Sequence, residues 1–243
     1  MRRTARFTFA LDLNEFLAPA ERRSGVVEVT FDAGQTVKHL IESVGVPHTE
    51  VGILRANGSL VTINYQVQDG DTVEVLPAAE AYDPLPGEAR FVLDNHLGRL
   101  AAYLRMLGFD SLYRNDYDDE ELAQVSAEQE RILLTRDRRL LMRKQVRYGY
   151  CLRSLDSREQ LTEVLRRYAL FDRIIPFRRC LRCNTPLEET LKTDIVHMLQ
   201  PLTRQYYQDF HRCPACGKVY WKGSHFEHMQ AIIDEIRGKP QGK

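Results

Sequence analysis

Four of the five cysteines stand in two Cys-x-x-Cys pairs, Cys180/Cys183 and Cys213/Cys216. A knuckle of this spacing lets two thiolates reach one ion, and two knuckles complete a tetrahedral zinc site. The second knuckle reads Cys213-Pro-Ala-Cys216-Gly217, with glycine where such turns need a positive φ. The 29 residues between the knuckles exceed a compact ribbon and predict an inserted segment. Four protein ligands leave no open position, so this Zn²⁺ is expected to be structural rather than catalytic. A pair of disulfides does not suit a cytosolic chain, and a redox Cys-x-x-Cys does not account for a second pair. His197, His211, His225 and His228 are further ligand types nearby, but four thiolates suffice. Cys151 lies in an apolar stretch and reads as a core residue.

A second set of residues points to oxygen-ligand chemistry. Asp94 follows the apolar run Phe91–Leu93, Asp137 follows Ile132–Thr135, and Asp119 stands among Asp118, Glu120 and Glu121 where a loop enters a helix. In an open parallel sheet, functional side chains gather beyond the carboxyl ends of the strands. Three acids so placed can converge on Mg²⁺ or Mn²⁺, which prefer oxygen ligands. Such a metal activates water and offsets charge developing on a phosphodiester. Each acid also has a structural reading: Asp94 and Asp119 as helix caps, Asp137 as a partner of Arg138 or Arg139.

Charge is segregated around these acids although the net charge is zero. Residues 91–135 carry nine acids against four basic residues, and residues 136–182 carry fourteen basic residues against five acids. An acidic centre beside a cationic stretch suits a nuclease; solvated helix faces would give the same pattern. Arg99, Arg136, Arg138, Arg139, Arg143 and Lys144 are the candidate phosphate contacts. Tyr220 and Trp221 have rings that can stack on bases, Trp221 can instead pack over the zinc knuckle, and His225 can meet a phosphate or cap the last helix.

The elements that must position these residues fall into three segments. Residues 1–78 read as ββαβββ: strands at Thr4–Leu13 and Gly25–Phe31, a helix at Thr36–Val44, strands at Val51–Leu54 and Leu60–Val67, and a last strand at Thr72–Leu76 after Asp69-Gly70-Asp71. This order resembles the sulfur-carrier branch of the ubiquitin-like β-grasp fold. Those carriers act through a free C-terminal Gly-Gly, whereas this chain runs on, which points to docking rather than sulfur transfer. Residues 77–88 hold three prolines with a glycine, and 79–88 read as a linker. Residues 89–172 alternate strands (Phe91–Leu93, Ser111–Tyr113, Arg131–Thr135, Tyr150–Leu152) with helices (Leu97–Leu107, Asp119–Glu130, Arg138–Val146, Ser157–Leu170). That alternation predicts an α/β domain with a mainly parallel sheet and helices on both faces. Residues 173–243 would form the zinc ribbon.

The string from Phe91 through Asp94, Arg99, Arg105 and Gly108 to Asp110 resembles the opening of the Mut-seven C-terminal RNase family, a PIN-like nuclease group. So do Asp119-Glu-Glu-Leu, Arg131-Ile-Leu-Leu-Thr-Arg136-Asp137-Arg138, the two knuckles, and Tyr220-Trp221-Lys-Gly223-Ser-His225. The resemblance runs from about residue 90 to the end, and relatives of this family also carry a preceding ubiquitin-like domain. It implies a metal-dependent ribonuclease with Asp94, Asp119 and Asp137 as ligands of Mg²⁺ or Mn²⁺. A fourth acid is open among Glu121, Asp118 and Asp156, and Asn95 stands where relatives often carry an acid. The expected partners are RNA and, through the β-grasp domain, a protein.

Other classes are set aside by what the chain lacks. No strand is followed by GxGxxG or a P-loop. No apolar run approaches the ~18 residues of a membrane span, and Met1-Arg-Arg-Thr-Ala-Arg6 does not lead into a signal-peptide core, so a cytoplasmic location is expected. The competing expectation is a non-catalytic RNA-binding or protein-interaction module that uses the basic face and the ribbon, its acids serving as caps.

Overall fold

The computed structural model describes residues 2–78 and 87–238, apart from the side chains of Ser224, His225, His228, Met229, Ile236 and Arg237. The expected linker at 79–88 falls mostly outside the described residues, which omit 79–86. The chain forms two compact units. One holds residues 1–88 and 117–153, the other residues 89–116 and 154–243. These units do not follow the three sequential segments, because residues 89–172 are divided between them.

In the first unit, strands β1 (Arg3–Phe9), β2 (Val26–Phe31), β3 (Val51–Ala56), β4 (Ser59–Val61) and β5 (Thr72–Pro77) form one sheet in the order β2-β1-β5-β3-β4. β1 runs antiparallel to β2 and parallel to β5. The first and last strands thus pair at the centre, the β-grasp arrangement. Alternation along β1 buries Ala5, Phe7 and Phe9 on one face. Helix α2 (Val37–Ser43) buries Val37, Leu40 and Ile41, and the Thr36 hydroxyl caps it by accepting from the His39 N–H. The expected strand Leu60–Val67 is cut to three residues. Its C-terminal part instead turns, with the Tyr65 N–H on the Thr62 carbonyl, and brings the Tyr65 carbonyl to the first helical N–H of α2. A short helix α1 (Leu11–Asn14) takes over where the first strand was expected to continue.

The rest of this unit is α4 (Asp119–Glu128), β8 (Ile132–Thr135), α5 (Arg138–Leu141) and β9 (Gly149–Cys151), with β8 and β9 parallel. Asp118 and Glu121 form a reciprocal capping box at the start of α4. Helix α5 stops at Leu141, well short of the expected Val146. The chain turns so that Val146 is fully buried, and its carbonyl receives His48 Nε2 at 2.8 Å.

In the second unit, β6 (Arg90–Leu93) pairs in parallel with β7 (Asp110–Tyr113), joined by α3 (Gly98–Met106). Leu100, Leu104 and Leu107 are completely buried on one stripe of this crossover, and α6 (Ser157–Arg167) packs against it. The ribbon adds strands β10 (Glu188–Thr190), β11 (Phe210–Arg212) and β12 (Val219–Trp221), all antiparallel. Helices α7 (Lys192–Ile195) and α8 (Pro201–Tyr206) fill the insertion expected between the knuckles, and α9 (Ser224–Gly238) ends the described chain. A small core of Ile195, Leu199 and Phe210 holds the ribbon, flanked by Tyr207, Val219 and Trp221.

One turn in this unit sets a sharp stability test. Gly108 ends α3 at φ +94°, and a Cβ placed there would meet the Ile175 carbonyl oxygen at 2.1 Å. Both the left-handed backbone and the close approach require glycine. Gly108→Ala is expected to destabilise by about 2–3 kcal/mol, the scale of local backbone strain. Urea denaturation with an unchanged midpoint would contradict this.

Candidate metal centre and nuclease residues

The sulfur atoms of Cys180, Cys183, Cys213 and Cys216 lie within 4.8 Å of one another, so the structure gathers all four predicted ligands. Cys180 and Cys216 are 3.6 Å apart and Cys183 and Cys213 3.4 Å. A tetrahedron with ~2.3 Å zinc–sulfur bonds has edges of about 3.8 Å, so the spacing fits such an ion with little movement. Each knuckle closes on itself: the Asn184 N–H reaches the Cys180 carbonyl and the Gly217 N–H the Cys213 carbonyl. The thiols differ in acidity. Burial opposes ionisation of Cys183, but the Thr185 hydroxyl and neighbouring donors outweigh it and bring the thiol down to about 6. Burial drives Cys213 up to about 12. Cys180 is lowered in spite of its burial, chiefly by the Tyr220 hydroxyl 3.1 Å away. Cys151 stands apart in β9; burial, with Glu50 beside it, raises its thiol to about 12. The cluster could hold zinc, and Cys151 is a core residue.

Two residues that sequence reasoning passed over fasten this centre to the strands and helix around it. Arg105, only 5 % exposed, donates from Nε to the Ser111 carbonyl and from Nη1 to the carbonyls of Leu181 and Arg182 inside the first knuckle. Asn184, at φ +69°, donates to Asp110 Oδ1 at 2.7 Å and accepts from the Ser111 N–H at 2.9 Å. The helical spacing of Arg105 gave only a charged residue in the last turn of α3. Its role depends on carbonyls more than seventy residues away.

The three predicted acids lie where the chain leaves β6, enters α4 and leaves β8. Asp94 belongs to the second unit, Asp119 and Asp137 to the first. Asp94 precedes a 3-10 turn over Asn95–Leu97 and makes no side-chain cap to it. Asn95 Oδ1 is buried with no hydrogen-bond donor among the described residues. A carbonyl oxygen in this state is a fitting donor for a hard cation. Tyr113 fixes the local backbone by donating to the Asn95 carbonyl at 2.8 Å, and Gly98 makes room for its ring. Asp119 is not the cap of α4, since Asp118 takes that place, and its carboxylate lies 3.8 Å from Arg143. Asp137 does cap α5, accepting from the Arg139 N–H at 2.8 Å, while its own N–H is held by the Thr135 hydroxyl.

The basic residues separate in environment. Arg136, Arg139 and Lys144 are exposed. Arg138 turns to the β-grasp sheet, donating to the carbonyls of Phe16 and Glu15 with its guanidinium 4.9 Å over the Phe16 ring. Arg99 belongs to the second unit and lies over Tyr103. Trp221 packs against Phe210 and Tyr207 and also lines an open cleft. The side chain of His225 lies outside the described residues.

The family model described as "Mut7-C RNAse domain" matches residues 89–233. The chain belongs to this family. The "Mut7-C ubiquitin" model matches residues 2–83, so the N-terminal sheet is the family's ubiquitin-like domain. No curated protein matches the chain. Among solved structures, small archaeal modifier protein 1 of H. volcanii is 18 % identical with a TM-score of 0.25, and the match covers 31 % of this chain and 97 % of that one. A Pyrococcus furiosus protein described as a molybdopterin converting factor, subunit 1, gives 18 % and 0.24 over the same shares. Among the described residues, no helix of this Mut7-C protein is long and apolar enough to cross a membrane.

Proposed function

We propose that this protein is a metal-dependent ribonuclease that hydrolyses RNA phosphodiester bonds. The observation that carries the reading is the Mut7-C RNAse match, whose span encloses Asp94, Asp119 and Asp137. These carboxylates would hold Mg²⁺ or Mn²⁺, and the unpartnered Asn95 Oδ1 supports a hard cation beside Asp94. Bound metal supplies an activated water and charge neutralisation at the phosphate. Arg136, Arg139, Arg143 and Lys144 would then hold the RNA backbone without reading sequence. Zinc on the four cysteines would be structural. The ubiquitin-like domain would serve as a docking module, in a cytoplasmic protein.

A second reading is a non-catalytic RNA-binding module. It is favoured by the side chain of Asp137, which already caps α5. A cleavage assay separates the two. Labelled RNAs are incubated with wild type and Asp94→Asn/Asp137→Asn, each shown to hold stoichiometric zinc, under Mg²⁺, Mn²⁺ or no added divalent cation. The ribonuclease reading expects cleavage by wild type with added metal and a loss of at least a hundredfold in the variant. Equal cleavage by both proteins removes the acids from the mechanism; binding without cleavage in both selects the second reading.

A further inference from the structure

The second unit carries an open cleft of about 550 Å³ between α3, α9 and the ribbon strand β12. Its volume lies within the ~300–1,000 Å³ of ligand-sized clefts. Five aromatic side chains line it, among them Tyr103, Tyr220 and Trp221. So do four cations, Arg99, Arg158, Arg179 and Lys218, and no carboxylate lines it among the described residues.

The cations are not equivalent. Arg179 is committed, 3.5 Å from Asp110 and bonded to the Asn184 carbonyl. Arg158 lies 3.8 Å from Glu235 and hydrogen-bonds the Tyr103 hydroxyl. Arg99 and Lys218 form no ion pair among the described residues; each lies over a tyrosine, 5.9 Å from the Tyr103 centroid and 5.7 Å from that of Tyr220. The Arg99 charge also acts on the Asp156 carboxylate, but neither Arg99 nor Lys218 is held in a close ion pair among the described residues, and an apolar, aromatic floor with such cations matches a ligand with a flat apolar part joined to an anion. Base–aromatic stacking and backbone cations are the two elements of single-strand binding.

We propose that this cleft binds an unpaired nucleobase of a single-stranded RNA, stacked in the aromatic floor, with the adjoining phosphate on Arg99 and Lys218. The site lies apart from Asp119 and Asp137 in the chain's division into units, and RNA as the ligand class rests on the ribonuclease reading. A duplex keeps its bases stacked on one another and offers none to the floor, so the cleft selects single strands.

Trp221 is the sole tryptophan of the chain and lines the cleft, which makes its fluorescence a local reporter. The test titrates full-length, zinc-loaded protein with a single-stranded RNA hexamer, without added Mg²⁺ or Mn²⁺ so that cleavage does not enter. Parallel titrations use a blunt RNA duplex of the same length and inorganic phosphate. The expected result is saturable quenching by the hexamer, weakened roughly tenfold in Tyr103→Ala and in Arg99→Ala. Tyr103→Phe, which keeps the ring, should stay near wild type. Unchanged thermal melting would show that the variants are folded. No saturable quenching, quenching that the variants leave intact, or equal quenching by the duplex would overturn the proposal. Quenching by inorganic phosphate alone at the same concentration would reduce the cleft to an anion site, which also overturns it. Quenching in a protein that cleaves no RNA would leave the cleft standing and remove the ribonuclease reading; cleavage without quenching would do the reverse.

Discussion

Cys213→Ser is expected to release the metal and unfold the C-terminal ribbon. The ribbon has three strands of three residues each and a core of Ile195, Leu199 and Phe210. So small a core supplies little stability by itself. A structural zinc contributes roughly 10–16 kcal/mol in isolated zinc-finger peptides, comparable to the whole stability of about 5–15 kcal/mol of a typical protein. Losing one of four ligands therefore outweighs what the remaining packing provides. Damage should spread to α3, because the buried Arg105 guanidinium would lose the Leu181 and Arg182 carbonyls that the knuckle presents to it. The measurement is zinc content by mass spectrometry alongside Trp221 fluorescence. The variant should hold less than stoichiometric zinc with red-shifted emission. Cys151→Ser, in which the altered thiol is not a ligand, should keep full zinc. Wild-type protein free of zinc, or a variant with full zinc and native emission, would refute the assignment.

Glu50→Ala should strongly destabilise the first unit. Glu50 is 4 % exposed; Oε1 accepts from the Cys151 N–H at 2.7 Å and Oε2 from Arg153 Nη2 at 2.8 Å. The carboxylate thus joins the ubiquitin-like sheet to the end of β9 and neutralises a guanidinium whose side chain is 25 % exposed. Truncation leaves an uncompensated cation and an unpaired strand N–H, and breaking a buried pair in this way costs about 3–5 kcal/mol. Glu15 also pairs with Arg153 but is itself 44 % exposed, so it offsets only part of the loss. Native-state hydrogen exchange at the amides of β8 and β9 would read the effect as faster exchange. Protection equal to wild type would show that the contact is dispensable. Glu50→Gln retains the acceptor for Cys151 and should lose less.

What was legible in the chain was what repeats or is local. The knuckles declare themselves by spacing, the alternation in β1 and β2 by burial, and the starts of α2 and α6 by Thr36 and Asp156, which cap them. Asp119 reads from the sequence as a cap of α4, but the reciprocal bond with Glu121 belongs to its neighbour Asp118. Arg138–Val146 read as one helix because arginine, leucine and lysine are good helix formers. Its last residues are governed instead by the burial of Val146 and by His48, nearly a hundred residues earlier. Glu50, Arg105 and Asn184 were invisible for the same reason: each acts on groups more than seventy residues away, and a single sequence holds no record of such pairings.

The division of residues 89–172 between two units has a bearing on how the protein is made. Every residue of the first unit has been synthesised once Arg153 is added, whereas the second still lacks residues 154–243. At ~5–20 residues per second, those ninety residues take about 5–18 s to translate. Early in that interval α3 waits for α6 (Ser157–Arg167) to cover Leu100, Leu104 and Leu107, and the Arg105 side chain then waits for the carbonyls of Leu181 and Arg182. The N-terminal portion of the RNase domain thus waits for partners made after the first unit is complete, and the second knuckle, Cys213 and Cys216, comes later still.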